Sequence, residues 1–213
     1  MSQNDKHDLT KERLLNEAEA LFAQKGYNAV SIREITTAAG CNVAAINYHF
    51  SSKQNLYLEV FRARWVPRAR RVQEYFRRSL AAHGATSPTA VTQALAEAFL
   101  VGPLSDEERQ RHYQLMTREL GQPTEAFELV ADEVMRPFFK ELADMLRPAM
   151  PEGEGKEDLM LNILSIFAAV LYFNFARAAV TRITGREYDQ AFKARLIKHI
   201  VEFSMKGLGG TLQ

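Results

Sequence analysis

Apolar residues recur three and four positions apart along almost the whole chain, and no stretch alternates apolar with polar residues over the length of a strand. A helix returns to one face about every 3.6 residues, so this spacing commits the polypeptide to helices buried along one side. Runs of β-branched and aromatic residues bounded by Asn-Gly or Asp-Gly turns are missing as well. The expected fold class is all-α. Ser31-Ile-Arg-Glu34 and Ser105-Asp-Glu-Glu108 have the form of capping boxes, with serine accepting an orphan amide and glutamate reaching back. Ser51-Ser-Lys-Gln54 and Asn42 supply two more helix starts, and Gly26, Gly40 and Gly121 mark helix ends.

This punctuation predicts a first helix from about residue 11 to 25 with Leu14, Leu15, Ala18, Leu21 and Phe22 inward, then short helices from Ser31 to Gly40 and from Asn42 to Phe50. A fourth runs from Lys53 to about Ala82, bent near Pro67, and the segment from Thr124 to Leu146 carries a second internal proline, Pro137. Gly84 to Pro88 reads as a loop, Pro151 to Gly155 as an acidic linker, and the glycines after Lys206 as a tail. Two last helices are expected over about 157–181 and 188–206. The first contains the run LMLNILSIFAAVLYF, too short for the roughly 20 residues of a bilayer span and read as a helix covered on two sides.

Composition narrows the function. A chain of 213 residues, 46% hydrophobic, with 27 basic and 26 acidic side chains, suits a folded protein with a sizeable core. One cysteine makes no internal disulfide, and the polar start of the chain lacks the apolar stretch of a signal peptide, so a reducing cytoplasm is expected. The charge is uneven: residues 54–84 hold seven arginines against two acids. Arg62, Arg64, Arg68, Arg70, Arg71, Arg77 and Arg78 could lend positive potential to a neighbouring unit or simply form a solvated face.

The most informative stretch is SIREITTAAGCNVAAINYHFSSK, residues 31–53: a capped helix, a glycine turn, a second capped helix and a further helix start. That is the layout of a helix-turn-helix. At about 100° per residue, Ile46 and Phe50 share one side of the second helix, and Ala44, Ala45 and Tyr48 face away, flanked by Asn47 and His49. Small residues on an exposed helix suit close approach to a surface such as the floor of a DNA major groove. Asn47 offers the planar donor and acceptor set that matches adenine, the methyls of Val43 and the alanines can touch thymine, and Arg33 can fork onto guanine. Ser31, Tyr48, His49 and Lys53 are then phosphate-positioning groups.

The sequence LFAQKGYNAVSIREI followed by AAGCNVAAINYHFSSKQNLY resembles the N-terminal DNA-binding domain of the TetR/AcrR family of bacterial transcriptional regulators, over residues 10 to 60. The resemblance implies contacting positions at Ser31 and Arg33, a recognition helix carrying Asn42, Val43, Ala44, Ala45, Asn47, Tyr48 and His49, and a phosphate-binding lysine at Lys53. The familiar pattern often has tyrosine at the position of Asn47 and a larger polar residue at that of Val43. Arg118 to Phe127 and Arg136-Pro137 resemble the CecR-like subgroup. The implied organisation is a DNA-binding domain over 1–53 and a helical effector-binding and dimerisation domain over 54–213, whose last two long helices pair across a two-fold axis. It places an effector cavity among Phe61, Trp65, Phe99, Tyr113, Met116, Phe127, Tyr172 and Phe175, with Arg118, Glu119, Asn174 and Arg177 orienting a polar group. Plain core packing is the competing reading for each aromatic.

No cofactor or metal is expected, because the five histidines lack ligand spacing, and no phosphate loop or serine elbow points to an enzyme. Cys41 reads as a small packed residue, and Lys6, His7 and Lys11 as an exposed arm. The expected function is a homodimeric, ligand-responsive repressor that binds a palindromic DNA operator and is released by a small-molecule effector. Its rivals are an activator of the same fold, and a helical-bundle enzyme or carrier.

Overall fold

The computed structural model describes residues 3–84, 87–149, 153 and 155–207, and among them there are helices and no strand. The helices are α1 Gln3–Lys25, α2 Ile32–Ala38, α3 Val43–Phe50, α4 Lys53–Val60, α5 Val66–Ala82, α6 Pro88–Leu100, α7 Asp106–Gly121, α8 Glu125–Val130, α9 Arg136–Leu146, α10 Lys156–Phe175, α11 Arg177–Thr184 and α12 Gln190–Gly207. The chain divides into two compact units, one of residues 1–69 with 104–134, the other of 70–103 with 135–213.

In the first unit, Leu14, Leu15, Ala18, Phe22 and Ala23 of α1 are buried with Ile35, Ile46, Phe50, Leu56, Tyr57, Phe61, Trp65, Leu115 and Met116. Each fully buried large apolar side chain contributes about 1.5 to 3 kcal/mol, so this is the core that holds the short helices. Leu21, expected inward, lies at the edge of the stripe, half-buried. α1 starts eight residues earlier than its sequence signals suggest. Tertiary contact explains the gain, since the His7 ring packs on Tyr48 and His49 of α3. Glu19, 1% exposed, accepts hydrogen bonds from Arg68 and from Arg111, the latter at 3.4 Å.

Both proline bends are realised as a wide helical turn. Between α4 and α5, residues Phe61–Trp65 form a π turn, closed by the Val66 amide donating to the Phe61 carbonyl, and Pro67 follows two residues later. Ala131–Met135 repeats the device between α8 and α9, ahead of Pro137. Proline offers no amide and its ring clashes with the carbonyl four residues back, and the extra residue opens the turn where that clash would fall.

In the second unit, Ala96 and Leu100 of α6, Val170 of α10, and Leu196 and Ile200 of α12 form a buried cluster, flanked by Phe99, Phe173, Tyr188 and Phe192. Phe167 meets both Phe99 and Phe139 edge to face, at 5.1 Å each. α10 is long and apolar enough to cross a membrane by length and composition alone. Its Leu159, Ile163, Ile166 and Val170 are buried, whereas Leu161, Leu164 and Tyr172 are exposed.

Several sequence expectations need correction. The helix expected over 157–181 breaks at Ala176, because the Tyr188 hydroxyl donates to the Phe173 carbonyl at 2.7 Å and takes the place of the amide that would continue the helix. The start of α4 is capped by Ser52, which accepts from the Asn55 amide at 3.0 Å, and Ser51 instead closes α3 at φ +65°. Ser31 caps α2 through the Glu34 amide at 3.1 Å, but Glu34 does not reach back; its carboxylate pairs with Lys25. The Ser105–Glu108 box is complete. The arginine-rich stretch is no simple solvated face: Arg64 bonds Glu12 and Asn16, Arg68 bonds Glu19, Arg71 bonds the Pro103 carbonyl and Arg77 forks onto Glu141. The loop expected at 84–88, the linker at 151–155 and the tail lie partly or wholly outside the described residues.

Candidate nucleic-acid interface

α2 and α3 are set by their caps and by the turn between them. The Asn42 carboxamide oxygen accepts from the Ala45 amide at 3.0 Å, Gly40 takes φ +62°, and the Cys41 amide bonds the Thr36 carbonyl at 2.8 Å. A left-handed residue between helices is the role glycine fills at least cost. Ile46 is fully buried and Phe50 nearly so, which pins α3 from behind. Val43 is then 42% exposed and Tyr48 74% exposed, with Ala44 and Asn47 exposed beside them and Ala45 half-buried. A helix of eight residues thus presents two small side chains, a carboxamide and a phenol on one open side.

The other expected contact residues sit at the start of α2, on α3 and its cap, and at the start of α4. Ser31 and Arg33 are exposed on the start of α2, and the Ser31 hydroxyl, an acceptor within its cap, keeps its own proton to donate. Asn42 likewise keeps its amide donors free of the cap bond. Lys53 opens α4 half-buried, its ammonium 4.3 Å above the Tyr27 ring, and burial pulls its pKa below the ordinary lysine value. His49 is half-buried against His7, ring centroids 4.3 Å apart. Burial, then repulsion from His7 and Lys11, lowers the His49 pKa below that of a free imidazole. The sequence gives His7 no partner, since nothing in the order of residues announces that α1 reaches back to α3.

Residues 14–60 match the family model for bacterial regulatory proteins of the TetR family, and residues 88–208 match that for the C-terminal domain of the HTH-type transcriptional dual regulator CecR. The chain belongs to the TetR family. It is a transcriptional regulator of that family, with the N-terminal helix-turn-helix and helical C-terminal domain of the fold. The dual regulator CecR of Shigella flexneri is 27% identical over 204 residues, 92% of this chain and 89% of the relative. A transcriptional regulator from Rhodococcus sp. Rha1 superposes with a TM-score of 0.63 at 18% identity, covering 95% of this chain and 99% of that one. The fatty acid degradation regulator FadR from Bacillus halodurans gives 0.62 at 16% identity, covering 95% and 97%.

The side chains expected around an effector fall in both units. Phe61, Trp65, Tyr113 and Met116 are buried in the first, with Phe127 half-buried. Phe99 is half-buried in the second, where Tyr172 and Phe175 are exposed. Arg118 and Glu119 are engaged by the protein itself, Arg118 with the carbonyls of Ala23 and Gln24, and Glu119 with Tyr57 and Thr124. Asn174 donates to the Val170 carbonyl at 3.2 Å. The Arg177 guanidinium lies 4.9 Å from the Tyr188 ring centre, beside a shallow surface concavity of about 580 Å³ that Thr181, Arg182 and Glu187 also line. Among the described residues, no cluster of three His, Cys, Asp or Glu is placed to hold a metal ion.

Proposed function

We propose that this TetR-family regulator is a ligand-responsive repressor, that residues 1–53 read DNA, and that residues 54–213 bind the effector and dimerise. The observation that carries the reading is α3, pinned by Ile46 and Phe50 and open on the side of Ala44, Asn47 and Tyr48. In this reading Asn47 meets an adenine edge, Val43 and the alanines meet thymine methyls, and Arg33 meets guanine. Ser31, Asn42, Tyr48, His49 and Lys53 hold phosphates. The exposed apolar side of α10, with Leu161, Leu164 and Tyr172, supports a homodimer, because a large apolar face is stable when a second copy covers it. Two copies place two recognition helices on a palindromic operator.

A small apolar or amphipathic effector weakens DNA binding only as far as its affinity differs between DNA-bound and released states. The test is selection of DNA from a random pool by the purified protein, followed by a reporter driven by the enriched site. Enrichment of a palindrome whose affinity falls steeply with salt, and reporter silencing, support the repressor. Failure to enrich any sequence overturns it. Activation at some promoters is the second reading, favoured by the relative in Shigella flexneri, a dual regulator, and the same reporter would show it as increased output.

A further inference from the structure

The corner where α7 meets α8 grips α1 and α4, the helices on either side of the helix-turn-helix, at three successive points, all within the first unit. Arg118 comes first. Its Nε donates to the Ala23 carbonyl at 2.9 Å and its Nη2 to the Gln24 carbonyl, among the last carbonyls of α1, which have no partner inside that helix. Glu119, 1% exposed, accepts from the Tyr57 hydroxyl at 2.6 Å, from the Thr124 amide at 2.9 Å and from the Thr124 hydroxyl at 3.0 Å. Glu125, on the first turn of α8, accepts from the Gln54 side chain at 2.8 Å.

Tyr57 is the important partner. It sits one turn into α4, its ring 4.9 Å from Phe22 and from Tyr27 and 5.2 Å from Phe61. Burial, then the bond to Glu119, raises its pKa well above that of a free phenol, so the hydroxyl stays a donor at working pH. Only two residues, Ser51 and Ser52, separate the end of α3 from the start of α4. Its tilt therefore sets the tilt of α3, and the α7–α8 corner holds α4 on one side and the end of α1 on the other.

The geometry points to Arg118 and Glu119 as positioning residues for DNA recognition: they touch no base, and they hold α1 and α4 so that α3 presents Asn47 and Tyr48 at one fixed angle. The inference rests on α3 being the DNA-reading helix.

The experiment uses the full-length chain and an operator enriched from random DNA. Tyr57→Phe keeps the ring in the core and deletes only the donor, and Glu119→Gln deletes the charge and turns one of the two accepting oxygens, which serve Tyr57 and Thr124, into a donor. Operator affinity is expected to fall about tenfold in Tyr57→Phe, the size of one lost hydrogen bond to a charged group. Affinity for random-sequence DNA at the same salt should stay within about twofold, because that term comes from phosphate charge. The double variant should lose less than the sum of the two single losses, since both weaken the bond between Tyr57 and Glu119. Unchanged operator affinity in both variants, or losses that simply add, would overturn the proposal.

Glu125→Ala, on an exposed pair, guards against a variant that merely melts; a smaller loss of operator affinity supports the clamp, and no loss alongside a melted Tyr57→Phe overturns it. If the parent protein enriches no sequence, or Asn47→Ala binds the operator as tightly as the parent, it is the assignment of α3 that has failed.

Discussion

The rings of Trp65 and His112 lie stacked, centroids 4.3 Å apart and planes 10° from parallel, with the indole nitrogen donating to the backbone carbonyl of His112 at 3.0 Å. Burial, then repulsion from Arg68 and Arg109, lowers the His112 pKa from 6.5 to about 3. The unfolded chain therefore binds one more proton than the folded chain between those values. The contribution of this site is complete above pH 6.5 and is lost on acidification, by up to about 1.4 kcal/mol per pH unit inside the window. Urea midpoints at pH 7, 5.5 and 4.5 should show that slope in the parent and a shallower one in His112→Phe, which keeps a ring against Trp65. Equal slopes would show that His112 titrates normally.

Asn47 and Tyr48 contribute to no core. Their joint replacement by alanine should shift the thermal midpoint by no more than about 2 °C, as surface changes do, and abolish selective operator binding in a gel shift. A drop of many degrees would mean that α3 is turned the other way.

Gly26 ends α1 at φ +84°, and a Cβ there would stand 3.1 Å from Arg118 Nη1. Gly26→Ala meets both a left-handed backbone and a crowded guanidinium. It should cost about 1 to 2 kcal/mol or more, read as a midpoint lowered by several degrees in calorimetry. Gly84→Ala, at φ +73° with nothing within 4 Å of its Cβ, isolates the backbone part of that cost.

Leu161 and Leu164 are 55% and 45% exposed on α10, so glutamates there leave the core intact. In the dimer reading, Leu161→Glu with Leu164→Glu should sediment as a monomer with unchanged helical circular dichroism. Operator affinity should fall about a hundredfold or more, because two tethered heads bind far more tightly than one. A double variant that stays dimeric places the interface elsewhere.

Local signals were readable in the sequence wherever a few neighbouring residues decide the outcome. Ser31, Asn42 and Ser105 cap the helices that their positions announce, and Ile46 and Phe50 are buried as their four-residue spacing requires. What escaped depends on partners distant in the chain. Glu34 leaves its capping role because Lys25 is near in space, α10 ends because Tyr188 reaches Phe173, and Arg118, a candidate effector contact by position, bonds a carbonyl 95 residues earlier. Resemblance supplied the family for residues 10 to 60; it could not say that α7 packs with that region, because the packing is written in side-chain geometry rather than in order.

The π turns at Phe61–Trp65 and Ala131–Met135 each house one residue more than an ordinary helical turn. The extra residue is taken up inside the wide turn, so removing one from the first would close it to an ordinary turn and leave the helix on either side in step, with Arg68 still facing Glu19. The same loss within the regular helix of α5, between Arg68 and Arg77, has no such slack: it would rotate Arg77 by about 100° away from Glu141, so where a residue is lost decides the damage.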